Sequence, residues 1–588
     1  MHIFNIVKNR INLAIQKITR QVLEIAVEPP KSREYGDIAT NAAMVLTRAL
    51  GSKPMDIATK LVEILESDQE FTHYVEKVGI VAPGFINMHL KKSSLYEFLS
   101  DLNQNGADAF NEDLKIGNNN KINIEFVSAN PTGPMHIGHA RSAIYGDVTC
   151  RLLKKCGFNV TAEYYINDAG AQIDTLIESL YIRYRQFLGD DIAIPEGCYP
   201  GEYLIDTAKK LKSERGNRVN IGDQYLRRFA VNEMMNLIKQ DLKALGVHHD
   251  IFTSEEFLIK RGLVEEAMEM LESRGLMYHG ILEKPKGKAD EDWESREQLL
   301  FKSTAFGDDS DRAIIKSDGS YSYFASDVAL HLDKLRRGYD ELFLVLGADH
   351  AGYVTRIRAA VKTLSDNRFD MQVIVNQLVN IYKDGQPIRM SKRKGNFVTV
   401  SDLLDELNPD ILRFAMLMQK NNTVIDIDCE KMLEKSKDNP VFYIQYAHTR
   451  VASIIRNAHK SNIFSAEEIS VERVEDKLVY KFHPNSDIDY SLLDSEIEME
   501  LIKNLIEFPR VMEMAARHKE PHRINYYLYE LANHLHGMWH AGVADEKMRC
   551  IIEDNLSLSR ARVSLVYSVA LVIFCGLDII GVKPLLEM

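Results

Sequence analysis

Apolar and polar positions are arranged in three different ways along the chain, and each arrangement predicts a different architecture. Residues 1 to about 112 combine a helical opening with strand-like alternation in KVGIVAPGFINMHL (77–90), which is typical of a small α+β module. The apolar segment INIEFVSAN (122–130) predicts a buried strand, and the turn PTGP after it leads into a helix. From about residue 405 to the end, helical periodicity dominates and predicts a helix bundle.

Three further apolar segments predict that the central region is a doubly wound parallel sheet. NVTAEYYIND (159–168), ELFLVLGADH (341–350) and MQVIVNQLV (371–379) are typical of strands that are covered on both faces. Charged amphipathic patterns between about 170 and 300 interrupt this series and predict a mainly helical insertion. In such a sheet the ligand binds at the carboxyl ends of the strands.

The length of the chain, 588 residues, exceeds what one hydrophobic core organises, so several domains are expected. We predict an α+β N-terminal module at 1–112, a Rossmann-like α/β catalytic domain at 113–404, and an all-α C-terminal helix bundle at 405–588. The polar stretch NEDLKIGNNNKI (111–122) is the predicted linker between the first two domains.

Charge and cysteine content narrow the class of protein. The net charge of −13 argues against nonspecific adhesion to nucleic acid, so any contact with phosphates depends on local basic clusters. Six cysteines form no CxxC pair and no His/Cys group at zinc spacing, which predicts reduced thiols, a cytoplasmic location and no structural zinc.

Neither end of the chain predicts a membrane segment. Charges are mixed into the helical period of the first residues, unlike the uninterrupted apolar stretch of a signal peptide. The segment 563–580 approaches membrane-spanning length, but Ser564, Ser568, Gly576 and Asp578 favour a buried bundle helix.

Two segments about 250 residues apart carry the candidate chemistry, HIGH at 136–139 and MSK at 390–392. Two histidines three positions apart can share the first turn of a helix, and a glycine between them leaves room for an adenine ring. A lysine from a distant loop can meet a polyphosphate. We predict ATP binding by seven residues: Pro134, His136, Gly138, His139, Met390, Ser391 and Lys392.

These residue types suit adenylyl transfer. When a carboxylate attacks the α-phosphate of ATP, negative charge grows on the phosphoryl oxygens and on the departing pyrophosphate, so catalysis is mainly alignment and electrostatic stabilisation. His136 and His139 can donate hydrogen bonds to that charge, and Lys392 can neutralise it, which makes these three the candidate catalytic residues. We expect Mg²⁺ to accompany ATP, and we expect no metal site built by the protein.

In their order and spacing, these segments resemble the class I aminoacyl-tRNA synthetases, and specifically the arginyl-tRNA synthetase family. The likeness rests on GDIATN (36–41), PGFIN (83–87), EFVSANPTGPMHIGHARSA (125–143), NDAGAQI (167–173), SDGSYSYFASDVALH (317–331), GADHAGY (347–353), MSKRKGN (390–396) and NPVFYIQYAHTR (439–450). The chain departs from the KMSKS pattern of class I, because Arg389 replaces the first lysine and Arg393 the final serine. We therefore assign the phosphate contact to Lys392.

An arginine pocket must recognise a planar cation with forked donors, which calls for a carboxylate beside a flat or hydroxyl-bearing side chain. Tyr323 and Asp327 are four apart and can share one helical face. The resemblance implies that arginine is bound by Glu125, Ser128, Asn130, Glu255, Tyr323, Asp327 and His350. A helix ion pair at Glu255, or a core histidine at His350, would give the same pattern.

The resemblance also implies contacts with tRNA. In the family, the C-terminal bundle grips the anticodon arm, and the N-terminal module approaches the tRNA elbow. The implied tRNA-binding residues are Tyr443, Gln445, Tyr446 and Arg450 in the bundle, and Gly36 and Asp37 in the module. Phe442 and Tyr446 could equally be core residues. His534, His536 and His540 are interpreted as helix packing rather than as a metal site.

The implied activity is that of a monomeric arginine-tRNA ligase, which joins L-arginine to ATP as arginyl-adenylate and transfers it to the 3′-terminal adenosine of tRNA(Arg). Three alternatives remain: a small nucleotidyltransferase with the same HxGH signature, a tRNA-binding relative without catalysis, and a glutamyl or cysteinyl enzyme. A glutamate pocket calls for cations where Glu255 and Asp327 stand, and a cysteine enzyme calls for zinc-binding cysteines.

Overall fold

The computed structural model describes residues 2–21, 23–110, 114–282, 297–315, 319, 321–387, 398–474, 477–484 and 487–588. Its contacts divide the chain into a central unit, Gly117–Glu434, and a terminal unit made of Met1–Ile116 together with Lys435–Met588. The boundaries at 112 and 404 stay a prediction, since this division groups the two ends of the chain together.

The N-terminal part of the terminal unit is an α+β layer. Its antiparallel sheet has the strand order β1-β2-β4-β3. Helix α1 buries Ile3, Val7, Ile11 and Ile15 along one stripe, as its amphipathic pattern requires. The elements are α1 (Ile3–Ile18), β1 (Val27–Glu28), β2 (Ile38–Thr40), α2 (Ala42–Leu50), α3 (Pro54–Glu66), α4 (Gln69–Tyr74), β3 (Val75–Val81), β4 (Phe85–Leu90) and α5 (Lys92–Asn105).

The central unit contains a five-stranded parallel sheet of order β12-β11-β5-β6-β7, which confirms the predicted α/β class. The first elements are β5 (Lys121–Glu125), α6 (Ile137–Lys155), β6 (Asn159–Ile166), α7 (Ala171–Leu188), α8 (Tyr203–Arg215), α9 (Gln224–Ala244), β7 (Ile251–Ser254), α10 (Glu255–Lys260) and α11 (Leu263–Ser273). The next are β8 (Met277–Ile281), β9 (Glu297–Phe301), β10 (Arg312–Ala313), α12 (Tyr323–Arg336), β11 (Glu341–Gly347), α13 (Val354–Leu364) and β12 (Gln372–Asn376).

The last part of the central unit follows the sheet. It consists of β13 (Val379–Lys383), β14 (Gln386–Pro387), α14 (Val400–Glu406), α15 (Pro409–Met416), β15 (Ile425–Asp428) and α16 (Cys429–Leu433). Strands β14, β13 and β15 form a separate small sheet in that order. The region predicted as an insertion is mainly helical, but it also contains β7, an edge strand of the main sheet.

Alternating side chains place different helices on the two faces of the parallel sheet. Phe126 directly follows β5, and a side chain on Gly146 of α6 would start only 2.2 Å from its ring, so α6 packs tightly on that face. The preceding residue, Glu125, forms a buried ion pair with Lys334 of α12. Consecutive strand residues point to opposite faces, so α12 covers the other face.

The C-terminal part of the terminal unit is mainly helical, as predicted, with one added hairpin. Its elements are α17 (Pro440–Lys460), β16 (Ile469–Val474), β17 (Lys477–Phe482), α18 (Glu496–Leu505), α19 (Phe508–His518), α20 (His522–Ala544) and α21 (Leu556–Ile580). Helix α21 is long and apolar enough to cross a membrane, but 78% of its most apolar 18-residue segment is buried inside the protein. It packs against α17 and α20 and is a core helix of the bundle.

Candidate active site

The HIGH segment forms the amino-terminal end of α6. His136 is the N-cap, and its Nδ1 accepts a hydrogen bond from Gly138 N at 3.1 Å. His136 N in turn donates to His139 Nδ1 at 3.3 Å, and the two imidazole rings stack with their centroids 3.7 Å apart. Because each Nδ1 accepts, each neutral ring carries its proton on Nε2 and can donate from there. The positive end of the helix dipole adds to this donor pair.

The backbone before His136 is held from two sides. Asp241 of α9 accepts a hydrogen bond from Met135 N at 2.9 Å, and Val400 N donates to Met135 O at 2.9 Å. His136 and Thr399 also form an antiparallel bridge. Burial raises the pKa of Asp241 to about 6. The described chain that follows the MSK segment is therefore fixed to the HIGH segment. Pro134 is half-buried and lies just before the HIGH segment.

The MSK segment itself lies outside the described residues. This holds for Met390, Ser391 and Lys392 and for the neighbouring Arg389 and Arg393. Their contacts with ATP stay a prediction.

Arg141 is a buried cation that the sequence reasoning missed. Its guanidinium donates to the carbonyl oxygens of Gln377 at 2.7 Å, Thr423 at 2.9 Å and Lys420 at 3.0 Å. Burial lowers its pKa to about 10. Since Gln377 and Thr423 lie just before β13 and β15, these bonds tie the helix of the two histidines to the small sheet whose strands flank the MSK segment in sequence.

Asp327 of α12 lies close to two other acidic residues, Glu125 and Glu255, and we call this acidic cluster the slot. The hydroxyl of Tyr353 donates to the Asp327 carboxylate. Burial, with further contributions from the negative charges of Glu125 and Glu255, raises the pKa of Asp327 to about 8. A cation placed here would relieve this unfavourable electrostatic situation.

Glu125 and Ser128 form one wall of the slot. The Glu125 carboxylate pairs with Lys334 and accepts a hydrogen bond from Ser128 Oγ at 3.0 Å. Ser128 Oγ in turn accepts from Tyr165 N at 3.1 Å. Val127 and Ser128 both have positive φ angles, 70° and 40°, which turn the chain sharply at the end of β5.

Glu255 and Tyr323 form the other side. Glu255 is buried at the first position of α10, whose N-cap Ser254 accepts from Phe257 N. Burial raises the pKa of Tyr323, and the negative charge of Glu255 raises it further. Tyr323 is the first residue of α12 and is 45% exposed. The structure thus brings together Glu125, Ser128, Glu255, Tyr323 and Asp327.

Two predicted arginine-binding residues are placed differently. Asn130 Nδ2 donates to Gln172 Oε1 at 2.7 Å. His350 has a 61% exposed side chain, 3.5 Å from Asp349, so it is not a core histidine. Neither contact links the residue to Asp327, and their role in binding stays a prediction.

The bundle presents a surface of aromatic rings around Arg450. Its guanidinium lies over the rings of Tyr446 and Trp539, 4.5 Å and 4.9 Å from their centroids, and NH1 is 2.8 Å from His536 Nδ1. Burial lowers the pKa of His536 to about 4, so the neutral ring accepts from Arg450. The ring of Tyr443 contacts His536 at 4.2 Å.

Gln445 does not share this surface. It is buried, and its side-chain amide donates to Lys583 O at 3.0 Å. The alternative that Tyr446 is a core residue does not hold, since 36% of it is exposed, although it stacks on Phe442.

Gly36 and Asp37 are engaged within the terminal unit. A Cβ at Gly36 would lie 2.6 Å from Met88 O, so only glycine fits there. The buried carboxylate of Asp37 accepts from Leu90 N at 2.8 Å and lies 3.0 Å from Lys503 Nζ of α18. Their part in tRNA binding stays a prediction, and their contacts favour a structural role.

Comparisons with known proteins agree with this geometry. Residues 5–90 match the arginyl tRNA synthetase N terminal domain, 103–455 the catalytic domain of the class I tRNA synthetases (R), and 444–588 the DALR anticodon binding domain. A protein of Wolbachia pipientis wMel named arginine--tRNA ligase is 47% identical over 97% of this chain and 96% of its own length. One of the same name from Roseobacter denitrificans is 46% identical over 96% of this chain and 94% of its own length. The chain belongs to the arginyl-tRNA synthetase family.

Solved structures of arginyl-tRNA synthetases share the fold. The putative enzyme of Campylobacter jejuni aligns with a TM-score of 0.69 at 29% identity, over 85% of this chain and all of that one. The Thermus thermophilus enzyme aligns over the full length of both chains with a TM-score of 0.68 at 18% identity. These findings confirm the resemblance drawn from the motifs and decide against a small nucleotidyltransferase, because all three family regions are present.

Proposed function

We propose that this chain activates L-arginine with ATP, forming arginyl-adenylate and pyrophosphate, and then transfers arginine to the 3′-terminal adenosine of tRNA(Arg). The observation that carries the proposal is the acidic slot around Asp327, which lies at the edge of the parallel sheet where class I ligands bind. A slot with two nearby acids, Glu125 and Glu255, selects a side chain that carries a positive charge.

In the activation step, the protein aligns two substrates and stabilises charge. His136 and His139 are proposed to donate from Nε2 to the phosphoryl oxygens, where charge develops as the substrate carboxylate attacks. The attack forms the carboxyl–phosphate bond and breaks the bond from the α-phosphorus to the pyrophosphate oxygen. Lys392 is the proposed counter-charge of the leaving pyrophosphate.

Mg²⁺ supplies charge neutralisation when it is bound to ATP. Across the described ranges, no three His, Cys, Asp or Glu side chains are grouped to hold a metal ion. We propose that Mg²⁺ enters with the phosphates of ATP. Of His534, His536 and His540, the middle residue is hydrogen-bonded at both ring nitrogens, to Arg450 and to the carbonyl of Tyr443.

In the slot, Asp327 binds the guanidinium, and Tyr323 and Glu255 lie beside it. Ser128 is proposed to face the amino-acid end of the substrate, and the ion pair with Lys334 holds the Glu125 carboxylate in place. Asn130 and His350 are proposed to reach the α-amino and carboxylate groups.

For tRNA, the stacking surface of Tyr443, Tyr446, Arg450 and Trp539 suits unstacked bases of the anticodon loop. We propose that this monomeric enzyme acts in the cytoplasm, where its tRNA is charged.

An ATP–pyrophosphate exchange panel with twenty amino acids tests the proposal, with total tRNA supplied. Exchange with arginine alone is the expected result, and exchange with glutamate or with no amino acid would contradict it. Repeating the arginine assay without tRNA tests whether activation needs tRNA: equal rates would exclude that coupling. Lys392→Ala should reduce exchange sharply if Lys392 meets the phosphates.

A further inference from the structure

Tyr165 is a buried tyrosine whose hydroxyl has no hydrogen-bond partner within the described parts of the chain. The residue is only 2% exposed. Two comparable buried tyrosines do have partners, since Tyr164 Oη donates to Ala129 O and Tyr184 Oη to Gly216 O, each at 2.7 Å. A buried hydroxyl without a partner costs free energy. Such a group indicates a hydrogen-bond partner that a bound ligand supplies.

The position of Tyr165 says where that partner binds. It is the penultimate residue of β6, and its backbone N donates to Ser128 Oγ in the wall of the acidic slot. Its ring belongs to the apolar cluster that includes Phe324 and Val328 of α12 and Leu258 of α10. These two helices carry Asp327 and Glu255.

The electrostatic surroundings of the hydroxyl agree with this position. Burial raises the pKa of Tyr165 well above its usual range, and the negative charges of Asp327, Glu255, Glu125 and Asp168 raise it further. The same hydroxyl also raises the pKa of Tyr353, the partner of Asp327. The hydroxyl therefore stays protonated at neutral pH and lies among the acids of the slot.

We infer that the Tyr165 hydroxyl is a substrate-binding group, which accepts a hydrogen bond from the guanidinium of bound arginine at the floor of the slot. This inference rests on the proposed function and extends it. A guanidinium carries five N–H donors in a fixed fork, more than the Asp327 carboxylate can accept. A hydroxyl oxygen can accept one of these remaining donors.

Tyr165→Phe tests this inference, because it removes the hydroxyl and nothing that the fold uses. The KM for arginine should rise ~10- to 100-fold, the loss of one hydrogen bond to a charged group. The kcat and the KM for ATP should stay within about twofold. The Tm without substrate should be unchanged or higher, and the Tm increase produced by saturating L-arginine should shrink.

Tyr184→Phe is the matched control. It removes the hydroxyl of an equally buried tyrosine in the helical insertion, one that bonds to Gly216 O. Its Tm should fall, while its KM for arginine should stay that of the wild type. The pair thus separates a hydroxyl used by the fold from one used by the substrate.

Two results would overturn the inference. One is an unchanged KM for arginine in Tyr165→Phe. The other is a fall in Tm as large as that of Tyr184→Phe, which would mean that the hydroxyl has a partner in the ligand-free fold. Failure of the proposed function is distinct from both, since the wild-type chain would then show no arginine-dependent exchange.

Discussion

Two carboxylates, the buried Glu163 of β6 and the half-buried Asp327 of α12, lie in different surroundings. Glu163 accepts hydrogen bonds from Asn123, Thr253 and Arg337. Burial alone would raise its pKa, but the charges of Lys334 and Arg337 and these hydrogen bonds outweigh burial, so the pKa lies below its ordinary value. Asp327 accepts from the neutral hydroxyl of Tyr353, and its pKa rises to about 8.

The difference shows that one carboxylate can stabilise the fold while another is placed to bind a ligand. At Glu163 the ion pair and its hydrogen bonds offset the cost of burial, so this charged group stabilises the fold. At Asp327 the protein places an acid among acids, so ionisation of this carboxyl is unfavourable near neutral pH until a cationic ligand binds. Helix α12 contributes to both stability and ligand binding. It carries Lys334, which pairs with Glu125, and Asp327, which lies in the slot. Arg337, the partner of Glu163, follows the last turn of the helix.

The largest expected effect is that of Asp327→Asn. Removing the carboxylate that meets the guanidinium should lower arginine-dependent pyrophosphate exchange by ~100- to 1000-fold, in line with the loss of a buried charge-assisted contact. The kinetic parameters should show this mainly as a higher KM for arginine, measured by exchange at pH 8.

The same variant should be more stable than the wild type at high pH. A carboxyl whose pKa is raised in the folded state loses stability as pH rises from its unfolded pKa, about 4, to its folded pKa, about 8. Asp327→Asn removes that loss, so its Tm at pH 8 should exceed that of the wild type. A lower Tm there, or exchange within twofold of the wild type, would remove the contrast with Glu163.

Glu163→Gln should have the opposite profile. It removes the buried counter-charge of the partly buried Arg337, which keeps only Asp333 at 3.0 Å. We expect the free energy of unfolding to fall by about 2–3 kcal/mol, less than for a fully buried pair. Since the pKa of Glu163 is lowered, its contribution is present above pH 4 to 5 and is lost as pH falls. Urea unfolding at pH 7 measures the change, and the folded variant should keep its KM for arginine.

Much of the central fold follows from the sequence, and the exceptions have a physical cause. The strands β5, β6, β11 and β12 overlap the apolar segments 122–130, 159–168, 341–350 and 371–379, which is why they are visible in the pattern. Strand β7 has only four residues, too few to show a period, and it lies inside a region of helical character. The contacts of the N-terminal layer with the bundle include long-range ion pairs such as Arg33 with Glu507, which no local sequence pattern expresses.

The site divides in the same way. His136, His139, Tyr323 and Asp327 could be proposed because residue type and spacing express their geometry. Tyr165, Arg141 and Lys334 could not, because their roles depend on neighbours that are distant in sequence. Arg141 bonds to Gln377, 236 positions away, and Lys334 pairs with Glu125 across 209 positions.

The pH dependence of arginine binding tests the charge state of the slot itself. Only the ionised form of Asp327 attracts the guanidinium, so binding should release a proton below the pKa of about 8. The KM for arginine should be ~10-fold higher at pH 7 than at pH 9. A KM that is flat over this range would show that Asp327 is ionised in the free protein.

Tyr353→Phe gives the smallest effect and isolates one contribution to that pKa. The Tyr353 hydrogen bond lowers the pKa of Asp327 and partly offsets the burial that raises it. Without it, the pH midpoint of arginine binding should move upward by about half a unit to one unit, the equivalent of one hydrogen bond. Above that midpoint the KM should return close to the wild-type value, because the ring that packs beside Phe324 is kept. A midpoint that moves downward would mean that Tyr353 supports the protonated acid, and the slot would then not be poised for a cation.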